Sequence, residues 1–192
     1  PLGKAARDFE LNQGASLTGR LLIDGEPLPG RTVTIASTSR RTRTNFTTEV
    51  IASDKNGRFF FSNLPAGLSY YVTGEMGSLG DLGMTRIVKT PQLVDEASFD
   101  VGDLVVEPGL TIAGKVSLRD GEPVPPGSVL IVSHDKIWQG QDVILDGDGR
   151  FSIKGMHPGE ISISIRSPGY RFSGLNRSFN AMNGGRLLAT QE

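Results

Sequence analysis

The sequence predicts an all-β protein that consists of two tandem Greek-key β-sandwich domains, residues 1–101 and 102–192. Three observations favour this fold class. Related stretches recur about 95 residues apart, turn signals follow one another roughly every 8 to 12 residues, and apolar residues alternate with polar ones between the turns. Most of the 25 glycines and 11 prolines fall at these turns, as an all-β chain with many tight reversals requires.

The repeat is clearest at two turns. The segment 24–27, Asp-Gly-Glu-Pro, returns at 120–123, and the segment 54–59, Asp-Lys-Asn-Gly-Arg-Phe, returns at 146–151 as Asp-Gly-Asp-Gly-Arg-Phe. In the second pair an Asp or Asn side chain closes the turn, and the glycine before the arginine adopts positive φ. We expect both segments to be hairpin turns, with these glycines in equivalent positions.

The predicted strands lie between the turns. Each copy begins with a leading strand, 8–13 or 103–108, and the segment 100–104 is the expected joint between the copies. No helix is predicted, and the glycines spaced three apart within 74–83 indicate a flexible connection. Apolar and polar residues alternate most strictly in the last predicted strand. In chain order the remaining predicted strands are 16–23, 32–36, 50–52, 59–61, 70–72, 111–118, 128–133, 143–145, 150–154 and 161–165.

Composition and charge limit the possible functions. A hydrophobic content of 37% with 21% charged residues is typical of a folded globular chain rather than a disordered one. The formal net charge of −1 argues against nucleic-acid binding, which needs a basic surface. No apolar run approaches the roughly 20 residues of a membrane-spanning helix, so we expect no membrane insertion. The absence of cysteine excludes disulfides and thiolate metal sites.

Several motifs together carry a family resemblance. Both copies contain Asp-Gly-Glu-Pro followed by Asp-x-Asx-Gly-Arg-Phe, then Leu-Pro-Ala-Gly at 64–67 or Met-His-Pro-Gly at 156–159, and the second copy adds Ser-Pro-Gly-Tyr at 167–170. This order resembles the carboxypeptidase regulatory-like domain, which has a transthyretin-like (prealbumin-like) sandwich of immunoglobulin-like architecture. The resemblance covers nearly the whole chain. It implies accessory modules that are appended to many proteins, so it indicates a fold more than a function.

The residues do not support an enzyme. A zinc carboxypeptidase needs His and Glu ligands at a set spacing, and the two histidines, His134 and His157, do not provide it. The transthyretin-like fold also includes a hydroxyisourate hydrolase that depends on several histidines and a Tyr-Arg-Gly-Ser motif. The segment 169–174, Gly-Tyr-Arg-Phe-Ser-Gly, differs from that motif in order and is interpreted as a turn with a packed aromatic. We expect no catalytic residue and no cofactor.

Neither a metal site nor a covalent cross-link is predicted. The loops 54–57 and 146–149 each offer two side-chain ligands, whereas calcium takes six or more oxygens. An isopeptide bond, as in similar surface sandwiches, needs a Lys, an Asn or Asp and a Glu. Arg20 stands where the first copy needs the Lys, and Ser167 stands where the second copy needs the Glu. The basic cluster 40–43 is interpreted as a solvated loop, with an anionic glycan or phosphate as the alternative ligand.

Four aromatic residues are the candidate ligand-binding residues: Trp138, Phe60, Tyr70 and Tyr71. Trp138, the only tryptophan, lies in a polar segment, where an exposed ring stacks on a sugar or packs against the sandwich edge. The second copy has a serine where the first has Phe60, and the short connection 64–67 favours antiparallel pairing of the strands that it joins. We therefore expect Phe60 and one of the tyrosines to lie side by side on the outer face of one sheet. Such a patch marks a contact with the second copy, the segment 74–83 or a partner.

The sequence thus predicts a non-catalytic structural or interaction module, a spacer or an adhesion element, of a larger bacterial extracytoplasmic protein. The family resemblance, rather than the composition, indicates the compartment, which is the periplasm or the cell surface. The expected partners are other domains of the full-length protein and a further protein or glycan. The alternative is a carbohydrate-binding module in which Trp138, or Phe60 with a nearby tyrosine, stacks on the sugar.

Overall fold

A computed structural model describes residues 13–38, 45–118, 120–134, 139–170 and 177–181. These residues form several β-sheets and two short helical turns, so the predicted all-β sandwich fold is confirmed. In chain order the elements are β1 (Ala15–Ile23), β2 (Glu26–Pro27), β3 (Thr32–Thr38), β4 (Asn45–Ala52), β5 (Arg58–Leu64), β6 (Tyr70–Gly74), α1 (Met76–Leu79), a 3-10 turn (Gly80–Leu82), β7 (Met84–Thr85), β8 (Val88–Lys89), β9 (Ser98–Glu107), β10 (Leu110–Lys115), β11 (Val129–His134), β12 (Gln139–Ile144), β13 (Arg150–Met156), β14 (Gly159–Arg166) and β15 (Arg177–Ala181).

The first sheet is built around β1. This strand pairs in parallel with β9 along one edge, and the antiparallel strands β5 and β2 share its other edge. Its side chains alternate in burial, and Leu17 and Leu21 are fully enclosed. Gly19 lies in the same inward row, because a Cβ there would stand 2.5 Å from both the Phe59 ring and a Val101 methyl. β7 completes the sheet by pairing with the far end of β9.

A second sheet, in the order β4-β3-β6-β8, packs against the first. Together the two sheets form what we call the first half, and they enclose the first core. β3 contributes Val33 and Ile35 to this core and β6 contributes Val72, while β9 contributes Leu104 from the opposite sheet. All four side chains are buried, and each such burial stabilises the fold by about 1.5–3 kcal/mol.

The second half consists of β10 to β15. Its two sheets have the orders β10-β13 and β12-β11-β14-β15, and they enclose a second core. The alternating strands predicted from the sequence lie here, since Val132 of β11 and Ile161 of β14 are completely buried. Ile163 and Ile165, at the following alternate positions of β14, are partly buried against the same core.

The same register recurs in the two halves. β1 and β5 pair with Gly19 opposite Phe59, and β10 and β13 pair with Gly114 opposite Phe151. Each pairing also has a register shift near the start of its first strand. These correspondences support the predicted repeat, and the division into tandem copies at 1–101 and 102–192 stays a prediction.

The two predicted Asp-x-Asx-Gly turns form as expected, but they do not join hairpins. The Oδ1 of Asp54 accepts the backbone N–H groups of Asn56 and Arg58, each at 2.8 Å, and Asp146 does the same for the equivalent residues at 3.0 and 2.8 Å. Gly57 and Gly149 have φ of 71° and 74°, as predicted. The flanking strands lie in different sheets, so the hairpin prediction is wrong: a local turn signal sets the reversal of the chain but not the hydrogen-bond partner of each strand.

β9 runs unbroken through the expected joint between the copies. The segment 100–104 lies in the middle of this strand, and the predicted boundary between residues 101 and 102 also falls inside it. The strand continues because Leu104 and Val106 extend the buried row of the first core and pair opposite β1. The chain leaves the first sheet after Glu107, and β10 begins at Leu110.

The glycine-rich segment 74–83 is ordered rather than the flexible connection predicted from its glycines. It forms the single turn of α1 and the 3-10 turn that follows. The two apolar residues of α1 point to different places, because Leu79 is buried in the first core and Met76 is buried in the second. This short helix therefore joins the two cores.

Candidate functional site

A cluster of buried polar side chains lies at the contact between the two halves. Thr73 on β6 and Thr85 on β7 share a hydrogen bond of 3.0 Å between their hydroxyl oxygens. The Thr85 hydroxyl also accepts the backbone N–H of Gly74 at 2.8 Å. From the second half, the Nε2 of His157 lies 3.4 Å from the Thr73 hydroxyl. A side-chain hydrogen-bond chain thus crosses from one half to the other.

The two histidines of the chain meet in this cluster. Their ring centroids are 5.8 Å apart, and the planes are inclined at 68°. His134 ends β11, and its Nε2 donates to the carbonyl of Pro158 at 3.3 Å, because a carbonyl oxygen only accepts. Gly159 must be glycine here, since a Cβ would lie 2.8 Å from the His134 ring and the backbone φ is 137°.

Burial sets the charge state of His157. Its side chain is almost completely enclosed, and this desolvation, together with the neighbouring His134, lowers the pKa of His157 to about 4. The ring is therefore neutral at neutral pH and serves as a hydrogen-bonding and packing group. Sequence reasoning weighed the histidines only as zinc ligands. The available signal was their position at the ends of predicted strands, since His134 is the last residue of β11 and His157 directly follows β13.

Close backbone approach tightens the same contact. Gly155 of β13 lies against the 3-10 turn, where a Cβ would collide with the carbonyl of Gly80 and stand 2.8 Å from that of Gly83. The Lys154 ammonium also reaches the Asp81 carboxylate at 3.2 Å, but both groups are largely exposed, so this ion pair contributes little. The contact between the halves thus rests on apolar packing, buried hydrogen bonds and backbone proximity.

The predicted aromatic pair does not form. Phe60 lies on β5 of the first sheet, whereas Tyr70 and Tyr71 lie on β6 of the second sheet, so they are not side by side on one face. The connection 64–67 crosses from one sheet to the other, and its shortness was the reason for expecting paired strands. A connection of this length can join strands in opposite sheets of a sandwich as well as adjacent strands of a hairpin.

The two tyrosines are packing residues. Tyr70 is buried in the first core, and its hydroxyl donates to the carbonyl of Pro65 at 2.7 Å. Burial, followed by the charge of Glu49, raises the pKa of Tyr70 to about 12. Tyr71 is half-buried against the second core, and the Lys89 ammonium lies 5.7 Å from its ring centre.

Phe60 is the exposed member of the predicted site. Its side chain is 53% exposed, and it stands opposite Thr18 of β1, which in turn stands opposite Asp100 of β9. This outer face is otherwise polar near Phe60. Trp138 and the basic cluster 40–43 lie outside the described residues, so their predicted roles stay predictions.

The described residues contain neither a metal-binding cluster nor a membrane-spanning helix. Within those ranges no group of three or more His, Asp or Glu side chains is placed to hold a metal ion. The turn aspartates Asp54 and Asp146 already accept two backbone N–H groups each. In the same part of the chain, no helix has the length and apolar character needed to cross a bilayer.

No family model matches this chain, and no curated protein matches it. Among solved structures, a streptococcal ancillary pilin is 18% identical, covering 88% of this chain and 58% of that chain, with a TM-score of 0.35. A DUF3823 family protein from Parabacteroides merdae is 12% identical, covering 81% of this chain and 90% of that chain, with a TM-score of 0.38. A mutant of the shaft pilin SpaA from Lactobacillus rhamnosus GG is 14% identical, covering 91% of this chain and 95% of that chain, with a TM-score of 0.33.

These likenesses are weak in both sequence and superposition, so they do not indicate a function for this chain. The chain also spans less than two thirds of the ancillary pilin, at 58% of its length.

Proposed function

We propose that this chain is a non-catalytic structural module, a spacer or interaction element, of a larger bacterial extracytoplasmic protein. The observation that carries the proposal is the coupling of the two halves through α1, which places Leu79 in the first core and Met76 in the second. A side chain buried in the core of the neighbouring unit resists pivoting. A spacer needs such resistance, because it must hold the domains on either side at a set distance and angle.

The contact between the halves includes a buried apolar side chain as well as polar groups. Contacts between domains of one chain are usually modest and polar, and relative motion is the usual expectation. Here Met76 is only 3% exposed, and the Thr73 to His157 hydrogen-bond chain is buried beside it. Burial of a methionine side chain stabilises the folded state by about 1.5–3 kcal/mol, and bending that exposed Met76 would lose this stabilisation.

The repeat and the compartment belong to the same proposal. The matching register at Gly19 and Gly114 supports two tandem copies of one sandwich domain. The resemblance of the motifs to the carboxypeptidase regulatory-like domain supports an accessory role outside the cytoplasm. Its partners are then the neighbouring domains of the full-length protein and a further protein.

Carbohydrate binding is the second candidate, and the exposure of Phe60 is the observation in its favour. A sugar platform needs an exposed ring with polar groups around it, and Thr18 and Asp100 provide those groups near Phe60. Tyr70 does not take part, because it is buried. We rank this candidate second because a single ring offers little stacking area.

Small-angle scattering of a matched pair of variants tests the spacer proposal. We expect the wild-type chain to fit one fixed arrangement of its halves. Gly155→Ala should loosen it, because the new Cβ collides with the 3-10 turn. Gly121→Ala is the control, since Gly121 has a similar φ of 78° and open space around its Cβ position. Wild-type scattering that fits only freely pivoting halves would overturn the spacer role.

A further inference from the structure

The two halves meet through the outer face of the second sheet. In β6, Val72 points into the first core, so its neighbours Tyr71 and Thr73 point out of the sheet on the other side. Tyr71 packs against the second core, and the Thr73 hydroxyl lies 3.4 Å from the ring of His157 in the second half. The contact surface is therefore separate from the first core, and the halves can part without unfolding that core.

The short helix α1 belongs to the first half by its place in the chain. It follows β6 closely, and Leu79 anchors it in the first core. Met76, three residues earlier, is buried in the second core. If the halves part, Leu79 stays buried while Met76 comes into contact with water. The exposure of Met76 is thus a local measure of opening at the contact.

His157 is a titratable group placed inside this contact. It faces the Thr73 hydroxyl from β6 and lies edge to face with His134 from β11. Burial and the neighbouring His134 lower the pKa of His157 to about 4, and no carboxylate of the described residues acts on it in the opposite direction. A proton on His157 in the closed contact is therefore desolvated and opposed by its neighbour.

The other charged groups near the contact lie outside this cluster. The Lys154 ammonium of β13 pairs with Asp81 of the 3-10 turn, and both side chains are largely exposed. Lys89 of β8 lies over the Tyr71 ring, at 5.7 Å from its centre. Asp81 is the carboxylate whose protonation would loosen a described ion pair across the contact, so an experiment must separate its titration from that of His157.

Opening of the contact replaces the buried surroundings of His157 with water. The ring then recovers its ordinary pKa of 6.5, so the open form binds a proton more tightly than the closed form. Protons therefore favour the open form as the pH falls through 6.5, and the effect levels off below about pH 4. Between pH 7 and pH 5 the ratio of open to closed molecules rises about 20-fold for these two pKa values.

A buried hydroxyl on the same face also favours opening. Thr34 of β3 stands directly opposite Thr73 of β6, so both side chains lie on the face that meets the second half. Thr34 is 1% exposed, and its hydroxyl has no hydrogen-bond partner among the described residues. A buried hydroxyl without a partner destabilises the form that buries it, and water that enters on opening satisfies it.

We propose that the contact between the halves is an acid-sensitive joint, which is closed at neutral pH and opens when His157 is protonated, while both cores stay folded. On opening, the His157 ring leaves Thr73 for water and Met76 leaves the second core. The halves remain linked through residues 108 and 109, between β9 and β10. A histidine that ionises inside an interface converts a change in pH into a change in packing.

This proposal rests on the proposed spacer role and adds its regulation, since the spacer is stiff at neutral pH and bends in acid. The two can fail separately. Scattering at pH 7 that fits only freely pivoting halves would overturn the spacer role. Halves that are fixed at pH 7 and no more open at pH 5 would overturn the joint and leave the spacer role intact.

Thiol labelling of single-cysteine variants tests the joint, because the chain has no cysteine of its own. Met76→Cys places a thiol in the second core, and Leu79→Cys places one on the same helix but in the first core. A dipyridyl disulfide, which reacts with thiols in acid, is the probe, and each rate is divided by that of the same cysteine in a peptide of residues 74–83. When closing outpaces labelling, this ratio reports the open population.

We expect the ratio for Met76→Cys to rise about 20-fold from pH 7 to pH 5, and the ratio for Leu79→Cys to stay unchanged. An equal rise in both variants would show global unfolding rather than a joint, and no rise in Met76→Cys would show a contact that does not respond to pH. Either result would overturn the proposal.

Two further substitutions in the Met76→Cys chain identify the group that titrates. His157→Gln should remove the rise between pH 7 and pH 5, whatever its labelling at pH 7, because the amide stays neutral. Asp81→Asn is the matched control and should keep the rise, since it removes only the exposed ion pair. A rise that persists in His157→Gln, or one that Asp81→Asn abolishes, would assign the pH response to another group and refute the role of His157.

Discussion

His134 and His157 meet edge to face inside the contact between the halves, with their ring centroids 5.8 Å apart. This contact is assembled around an uncharged His157, because burial and the neighbouring ring lower the pKa of His157 to about 4. The Thr73 hydroxyl, which belongs to the other half, lies 3.4 Å from the same ring. The ionisation of one side chain is therefore coupled to the packing of the two halves.

Acidification should destabilise the chain through His157. The folded pKa of about 4 lies below the unfolded value of 6.5, so between these pH values the unfolded chain binds a proton that the folded chain does not. The stability is fully present above pH 6.5, falls as the pH drops, and levels off below about pH 4. The loss approaches about 3 kcal/mol at about 1.4 kcal/mol per pKa unit, and urea unfolding across this range measures it.

The variant His157→Gln isolates this effect. It removes the titrating ring, so its stability should depend less on pH between 6.5 and 4 than that of the wild type. Carboxylates such as Asp103, whose pKa is lowered by its hydrogen bond to Arg20, titrate in both proteins and cancel in the comparison. An NMR titration that puts His157 at its ordinary value, or parallel stability curves for the two proteins, would contradict the prediction.

Removing the hydroxyl of Thr85 should weaken the same contact. Thr85→Val keeps the shape of the side chain but leaves the buried N–H of Gly74 and the hydroxyl of Thr73 without their partner. We expect a loss of about 1–3 kcal/mol in the free energy of unfolding. Thr111→Val, at an exposed position of β10, is the control and should change it by less than about 0.5 kcal/mol. Equal effects of the two variants would show that the Thr85 hydrogen bonds contribute nothing.

Local features of the fold could be predicted from the sequence because short-range chemistry determines them. The Asp54 and Asp146 turns follow from a carboxylate that reaches backbone N–H groups two and four residues later. The inward positions of Phe59 and Phe61 follow from strand alternation. Neither inference requires knowledge of distant parts of the chain.

The assignment of strands to sheets could not be predicted in the same way. β9 pairs with β1 although Arg20 and Asp103 are 83 residues apart, and neither segment contains a sequence signal that identifies the other as its partner. Met76 likewise lies in a glycine-rich segment, and its burial depends on second-half residues that are distant in sequence. The histidine cluster could not be predicted either, because Thr73 and His157 meet only when the two halves are in contact.

Calcium should leave the midpoint of thermal unfolding unchanged. The Asp54 and Asp146 carboxylates already accept backbone hydrogen bonds, and their loops supply too few oxygens for a calcium ion. Asp146→Ala should still cost about 1 kcal/mol, because it removes the acceptor that closes the turn. Asp148→Ala, which changes an exposed carboxylate in the same turn, is the matched control. A calcium-dependent rise in Tm that Asp146→Ala abolishes would refute this prediction.

Substitution of Phe60 should separate folding from binding. Phe60→Ser should be nearly neutral for stability because the ring is largely exposed, whereas Phe61→Ser should cost about 3–5 kcal/mol because Phe61 lies in the first core. Chemical unfolding of both variants measures this contrast.

A glycan array then decides whether Phe60 has a binding role, with Trp138→Ala as a parallel variant. Carbohydrate binding predicts that a glycan bound by the wild type is lost in Phe60→Ser or Trp138→Ala at unchanged stability, because ring stacking supplies the contact. Glycan binding that survives both substitutions, or a wild-type chain that binds no glycan, would show that Phe60 and Trp138 are not sugar-binding residues. The structural role would then be the one remaining proposal.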